Sequence, residues 1–216
     1  MRDIETMGET LGPQFSALWQ QIAWLHSKWQ EYVDMFGTKP SRVALLNRAA
    51  PKLFGDVQVC LWHETLLHIA RLTDPPKSAG KPNLTIQNLA ALTRTPAESS
   101  LIKAVDAAVS KSQFARDWRN RHIAHIDLDL ALDRKVIPLA AASRLQVTEA
   151  LHAIAFALNE VARLHRQAET YFAIGSSVGG AVCLLRILHD GLKQQERRDE
   201  ALMRGDMPDD DCPRDL

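Results

Sequence analysis

Residues 15–36 read FSALWQQIAWLHSKWQEYVDMF, and their spacing decides the fold class. Phe15, Leu18, Ile22, Leu25, Trp29, Tyr32 and Phe36 recur at alternating steps of three and four, which draws one apolar stripe along a helix. Trp19 and Val33 widen the stripe, and Gly37 is expected to end it as a C-terminal glycine cap. A second such run, Val147, Leu151, Ile154, Leu158, Val161, His165, Ala168 and Phe172, follows Ser143-Arg144-Leu145-Gln146, which has the form of a capping box.

Between these two runs the same signs continue. Pro40–Ala50 reads as a short helix stopped or kinked by Pro51. A longer helix spans about Leu53 to Thr73 and ends at Asp74-Pro75-Pro76, with Val59, Trp62, Leu66 and Ile69 on its buried face. Lys77–Asn83 reads as a loop and Thr85–Thr93 as a short helix. Thr95-Pro96-Ala97-Glu98 is a helix start, and the helix it opens runs through Leu101, Val105, Ala108 and Val109 towards His125, with a bend near residues 110–112. Ile126–Ala142 lose the helical period and are expected to be a loop or short extended excursion. A break at Gly175–Gly180 precedes a last helix with Val182, Leu185, Leu188 and Leu192, which frays from QQERRDEALM onwards.

The fold expected is therefore all-α, a bundle of about five to six helices. Its stripes are wide enough to supply a buried dimer face as well as a core. Residues 1–205 form one helical domain. Residues 206–216, with five Asp against one Arg, are expected to be an acidic, disordered tail.

The chain has 216 residues, 46% hydrophobic and 24% charged, within the range of one ordinary globular domain. Lys+Arg and Asp+Glu are 26 each, so a surface basic all over, as for wholesale nucleic-acid binding, is excluded and any polyanion site must be a local patch. Cys60, Cys183 and Cys212 lie far apart and suit neither a disulfide framework nor a metal spacing. The first twelve residues lack the apolar core of a secretory signal, and Phe172–Leu185 is too short to span a bilayer; a cytoplasmic protein without membrane contact is expected.

Three further patterns carry little chemistry. His63 and His68 are five apart, not the i and i+4 of a zinc-protease helix, and read as one partly buried and one exposed helix residue. Gly175–Gly180 lacks the Lys-Ser/Thr of a phosphate-binding loop and reads as an interhelix turn. Asp127 with Asp129, and Asp209–Asp211, are not read as metal ligands. No metal and no cofactor is expected.

One segment is chemically distinctive: Phe114–Asp129, FARDWRNRHIAHIDLD. From Lys111 to His125 there are four cations (Lys111, Arg116, Arg119, Arg121) and one anion (Asp117), a net of plus three in a neutral chain. His122 and His125 follow, and histidine titrates near neutral pH. Arginine offers a rigid fork for a phosphate. Neutral histidine can take a proton from a ribose 2′-hydroxyl, and protonated histidine can give one to a leaving 5′-oxygen. Such a set suffices for metal-free RNA cleavage.

The string RNRHIAH resembles the Arg-x(4–6)-His signature of the HEPN superfamily, with Arg119, the polar Asn120 after it, and His125 in an Ala-His-x-Asp ending. Arg71-Leu72-Thr73-Asp74-Pro75-Pro76 and the overall size look like the subgroup linked to abortive phage infection, over about Phe15–Ala173. The resemblance implies a helical bundle and a homodimer whose subunits each bring one Arg–His pair to a composite cleft. It also implies a metal-independent ribonuclease that leaves cyclic phosphate ends, in phage defence or as a toxin. Arg119 and His125 would be catalytic; Arg116, Asn120, Arg121, His122 and Asp127 would be auxiliary. Arg116 with His122 fits the same spacing, so two pairs stay open. Asp127 would orient His125 or cap the helix end. RNA or nucleotide would be the ligand, and an antitoxin or regulatory protein a further partner.

Two alternatives stand beside this: a non-catalytic module of the same type that binds nucleotide or RNA, and a protein-interaction bundle. In either, Arg119 and His125 would meet the carbonyls and dipole of a helix end. Trp118, next to the signature, would stack a base or, as such residues more often do, join the core.

Overall fold

The computed structural model describes residues 2–93, 98–125, 127–134, 137–172 and 178–206. In chain order it contains α1 (Arg2–Tyr32), α2 (Pro40–Ala49), α3 (Pro51–Leu72), a hairpin of β1 (Lys77–Ser78) and β2 (Lys81–Pro82), α4 (Gln87–Thr93), α5 (Glu98–Lys111), α6 (Gln113–Trp118), α7 (Leu128–Ala131), α8 (Arg144–Arg166) and α9 (Ala181–Met203). π-helical turns follow α1 (Val33–Gly37) and α6 (Arg119–Ile123). Five helices are long (α1, α3, α5, α8 and α9) and the bundle is all-α, as the stripes predict.

The stripes meet in one core. Leu18, Ile22 and Leu25 of α1, Leu66 and Ile69 of α3, Leu101 of α5, and Leu151, Ile154 and Leu158 of α8 are all fully buried. Each such side chain contributes about 1.5–3 kcal/mol of burial. Helix α5 lies along α8, and α1 packs against both α3 and α8. The capping box at Ser143 and Gln146 is present in both directions, so α8 begins where the sequence places it. Helix α9 stands outside this core. It rests on α2 and the first π turn through a smaller cluster of Met35, Leu46, Phe54, Ala181 and Leu185.

Several boundaries depart from the expectations, each for a physical reason. Helix α1 starts at Arg2, and Gly8, at φ 79°, breaks it there. A Cβ on Gly12 would lie 2.6 Å from the Asp3 carbonyl oxygen, so only glycine lets the leading segment fold against the main helix. Gly37 is not a left-handed cap; α1 widens into the π turn instead. Lys77–Asn83 is a hairpin rather than a plain loop, its turn made by Ala79 and Gly80, both at positive φ. On α3, Val59 is exposed and Phe54, Thr65 and His68 are buried in its place. His68, with His63 half-buried, corrects the expectation that one of the two is exposed.

Helix α8 stops at Arg166, because Gln167 turns left-handed (φ 50°), and does not reach Phe172. Asn159 then holds the returning chain by two 2.9 Å hydrogen bonds, its Nδ2 donating to the Thr170 carbonyl and its Oδ1 accepting from the Thr170 N–H. That seats Phe172 against His26 and Trp19. Helix α9 continues unfrayed through QQERRDEALM to Met203. Within Ile126–Ala142, α7 is helical rather than extended. The Thr95-Pro96-Ala97 start, the first half of the Gly175–Gly180 turn, Cys212 and the tail from residue 207 lie outside the described residues. Among the described residues, no helix is long and apolar enough to cross a membrane, and no group of three or more His, Cys, Asp or Glu is placed to hold a metal.

Two buried histidines set a pH dependence. Burial lowers His26 from 6.5 to about 4, with His152 adding to the effect. Burial likewise lowers His68 to about 4, with Lys28 and Arg71 lowering it further and Glu64 opposing. The unfolded chain takes up these two protons near pH 6.5 and the folded chain only near 4, so stability present above 6.5 falls as pH drops towards 4. The slope reaches up to about 1.4 kcal/mol per pH unit for each histidine. Urea midpoints should therefore be lower at pH 5 than at pH 7, and His26→Leu should remove about half of the difference. Equal midpoints at the two pH values would show that neither histidine is held neutral.

Candidate functional site

The distinctive segment does not lie on one continuous helix. Ser112, fully buried, donates its hydroxyl to the Ala108 carbonyl at 2.8 Å and breaks α5 from α6, at the bend expected near residues 110–112. After Trp118 the helix widens. The Ala124 N–H reaches back five residues to the Arg119 carbonyl at 2.8 Å, closing a π turn over RNRHI. Such turns are rare and cluster at functional sites. The Asp127 side chain accepts the Leu130 N–H at 3.0 Å and caps the start of α7. Of the two roles open to it, Asp127 thus caps, though it caps the next helix rather than the end of the last.

The cations are not an open anion patch. Arg119 pairs with the Asp74 carboxylate, and Arg116 approaches the other oxygen of Asp74 at 3.8 Å. Arg121 meets Asp117 at 3.4 Å and Asp127 at 4.0 Å, and Lys111 meets Glu149 at 3.6 Å. The plus three counted along the sequence is matched in space by Asp74, Asp127 and Glu149. Asp74 sits just past the C-terminus of α3, brought against α6 by the packing of those two helices.

The arginines differ in what remains free. Arg116 donates Nη2 to the Thr73 carbonyl and Nη1 to Gln113 at 3.4 Å, while its Nε faces Asp74. Arg121 donates to the Pro138 carbonyl at 3.3 Å and to the Ile137 carbonyl, with Nε towards Asp127. Both Nη atoms of Arg116 are hydrogen-bonded, as are both of Arg121, and each Nε lies within 4.0 Å of a carboxylate, the buried Nε of Arg116 without a hydrogen bond. Arg119 uses Nη1 on Asp74 and Nε on the Asn120 side chain at 3.0 Å, and its Nη2 has no partner among the described residues. Thus Asn120 orients Arg119, and Arg116 ties the end of α3 to α6.

The π turn sends the two histidines to different surroundings. His125 is exposed, lies past the helix end, and has no hydrogen bond or ion pair among the described residues. His122 stands edge-on to His63 at 5.3 Å and to Trp118 at 5.5 Å between ring centroids. These three line an open pocket of about 730 Å³ that also takes in Trp62, Val59 and Arg144. Burial, then the neighbouring His122, lowers the pKa of His63. Trp118 is half-buried, and its indole N–H donates to the Ala140 carbonyl at 2.8 Å.

Three residues of this region were not read as functional from the sequence: Asp74, His63 and Arg144. Asp74 had a signal only as the residue that ends α3 in Asp74-Pro75-Pro76. His63 and Arg144 had none, since neither is near the signature along the chain.

Asp74→Asn should leave the fold intact while loosening the α3–α6 junction. Losing one charge-assisted partner of two arginines is expected to cost about 2 kcal/mol, read as a lower urea midpoint at unchanged helical content. A midpoint equal to wild type would mean that Asp74 does not hold the two arginines.

Comparison with curated proteins and with solved structures returns no match. Comparison with family models finds one, HEPN_AbiU2 (AbiU2), over residues 8–178. That match covers most of the chain, from the first helix past the end of α8 and including the whole π turn with Arg119, Arg121 and His122 and the His125 that follows it, and the chain belongs to the AbiU2 family of HEPN domains.

Proposed function

We propose that this chain is a metal-independent endoribonuclease of abortive phage infection, with Arg119 and His125 as its catalytic pair. The observation that carries the proposal is the state of Arg119. It is held by Asp74 and Asn120 and yet keeps Nη2 free, while Arg116 and Arg121 are hydrogen-bonded to the protein through both Nη atoms. A guanidinium has five N–H donors, so a phosphate can reach Arg119 without displacing Asp74. This favours Arg119 with His125 over Arg116 with His122.

In the reaction, neutral His125 removes the ribose 2′-hydroxyl proton. The 2′-oxygen attacks the adjacent phosphorus, and the P–O bond to the 5′-oxygen breaks. A protonated histidine, that of a second subunit in a composite cleft, gives the leaving 5′-oxygen its proton. The products are a 2′,3′-cyclic phosphate and a 5′-hydroxyl. Arg119 stabilises charge building on the non-bridging oxygens.

A second reading, a binding module without catalysis, is favoured by one observation. The cations of the signature are matched by carboxylates, so the site carries little net charge to draw in a polyanion.

The test is cleavage of labelled total RNA in excess EDTA by wild type, Arg119→Ala, His125→Ala and His122→Ala. Wild type should cut and leave cyclic phosphate ends. Arg119→Ala and His125→Ala should each lower the rate by about a hundredfold or more, and His122→Ala should keep most of the rate at saturating RNA. Full activity in His125→Ala, or activity lost only in His122→Ala, would overturn the assignment. No cleavage by wild type, alone or with a partner protein, would leave the binding module.

A further inference from the structure

We infer that the pocket between α3, α6 and the start of α8 is a nucleobase subsite, taking one unstacked base of a single-stranded RNA with Arg144 on the adjacent phosphate. This rests on the reading of the chain as an RNA-binding protein. It does not depend on cleavage.

The walls suit a planar ring. Trp62, Trp118 and the two histidines present aromatic surface to a space of about 730 Å³, within the range of small-ligand sites. The indole N–H of Trp118 is committed to the Ala140 carbonyl, which fixes the ring and leaves its face as the contact it can offer. Behind Trp62, Tyr32 and Trp29 stack at 5.1 Å and 8°, so the wall rests on a rigid aromatic base. Bases stack on such faces whatever their sequence.

The polar groups suit a base edge and a phosphate. His63 is held towards its neutral form, in which one ring nitrogen donates and the other accepts. The His122 ring, 5.3 Å away between centroids, presents a second imidazole edge to the same space. Arg144 lies at the rim, exposed. Its Nη1 donates to the Gly37 carbonyl at the end of the first π turn. A Cβ at position 37 would come within 2.9 Å of that nitrogen, so glycine leaves room for it. Whereas Lys111, Arg116, Arg119 and Arg121 each face a carboxylate, Arg144 faces none among the described residues. An uncompensated guanidinium beside an aromatic pocket matches a ring joined to an anion, which is a nucleotide. An aliphatic or peptide occupant would use the walls and leave Arg144 idle. His122 links the pocket to the signature, since it belongs to the π turn that also carries Arg119.

Two sources offer this chemistry, a free nucleotide and a base within a strand. The test uses the full chain and two probes: a fluorescein-labelled 2′-O-methyl hexanucleotide, which cannot be cut by attack of the 2′-oxygen, and the four nucleoside 5′-monophosphates. Binding is read by anisotropy and by calorimetry for wild type, Val59→Trp, Arg144→Gln and, as a control on the far helix, Ile187→Ser. Val59 is exposed on the pocket wall, so tryptophan there fills the space without disturbing the core.

Val59→Trp and Arg144→Gln should each weaken hexanucleotide binding about tenfold while Ile187→Ser binds as wild type. Monophosphates competing at equal affinity would assign the pocket to a free nucleotide and overturn the strand subsite. Hexanucleotide binding by Val59→Trp and Arg144→Gln at wild-type affinity would overturn the subsite, whether or not RNA is cut. A dimer lost in Val59→Trp with hexanucleotide affinity unchanged would assign the pocket to a second copy of the chain and overturn it too. Pocket-dependent binding with no cleavage of natural RNA would uphold the subsite and remove the ribonuclease.

Discussion

The Asp74 carboxylate sets the relation between the fold and its candidate site. It lies just beyond the last residue of α3 and takes one guanidinium on each oxygen, Arg116 from α6 and Arg119 from the π turn after it. Around it, the Thr73 carbonyl accepts from both Arg116 and Gln87, and the Thr85 hydroxyl donates to the Leu72 and Asp74 carbonyls. The open carbonyl end of α3 is thereby satisfied by side chains from two later parts of the chain. All three charged groups are largely shielded from water, with 15–21% of each side chain exposed. In such surroundings, removing one partner is far more costly than for a surface pair. The position of Arg119 is thus fixed by the same contacts that close the bundle.

The long helices were legible in the sequence because burial is recorded as period. Leu18, Ile22 and Leu25, or Leu151, Ile154 and Leu158, mark a face by their own spacing and need no knowledge of the partner helix. Ser143 and Gln146 mark a start by chemistry local to four residues. What was not legible depends on contacts distant along the chain. Val59 has the right spacing for a core residue, but no helix lies over it, and it borders the open pocket. The end of α8 is decided by Asn159 drawing Thr170 back, which spacing alone cannot register, since Phe172 is buried whether or not the helix reaches it.

The candidate site shows the same division. Arg119, Asn120, His122 and His125 could be named from one short string, and that string lies inside the region matched to the family. The charge of the site could not be read that way. A count from Lys111 to His125 includes one carboxylate, Asp117. Packing adds Asp74 and Glu149 from elsewhere, and Asp127 lies two residues beyond the window. A run of like charge along a helix is thus a poor guide to surface potential wherever another helix end packs against it.

Arg116 with His122 has the same spacing as Arg119 with His125, and in the sequence only Asn120 and the Ala-His-x-Asp ending favour the second pair. The π turn places the two pairs differently. Lengthening one turn by a residue ends the regular rotation of side chains between positions 119 and 123. His122 then faces His63 and Trp118, and His125 falls beyond the last helical hydrogen bond, in water. A general base needs access to the proton it takes and freedom to gain and lose one. Both histidines are exposed, but His122 lines the aromatic pocket, whereas His125 has no hydrogen bond or ion pair among the described residues. Arg119 is held in place with Nη2 unpaired among the described residues, whereas both Nη atoms of Arg116 are hydrogen-bonded to the protein. One local change in helical pitch thus sends the histidines of a single short motif to two different surroundings, His125 past the helix end and His122 against an aromatic pocket.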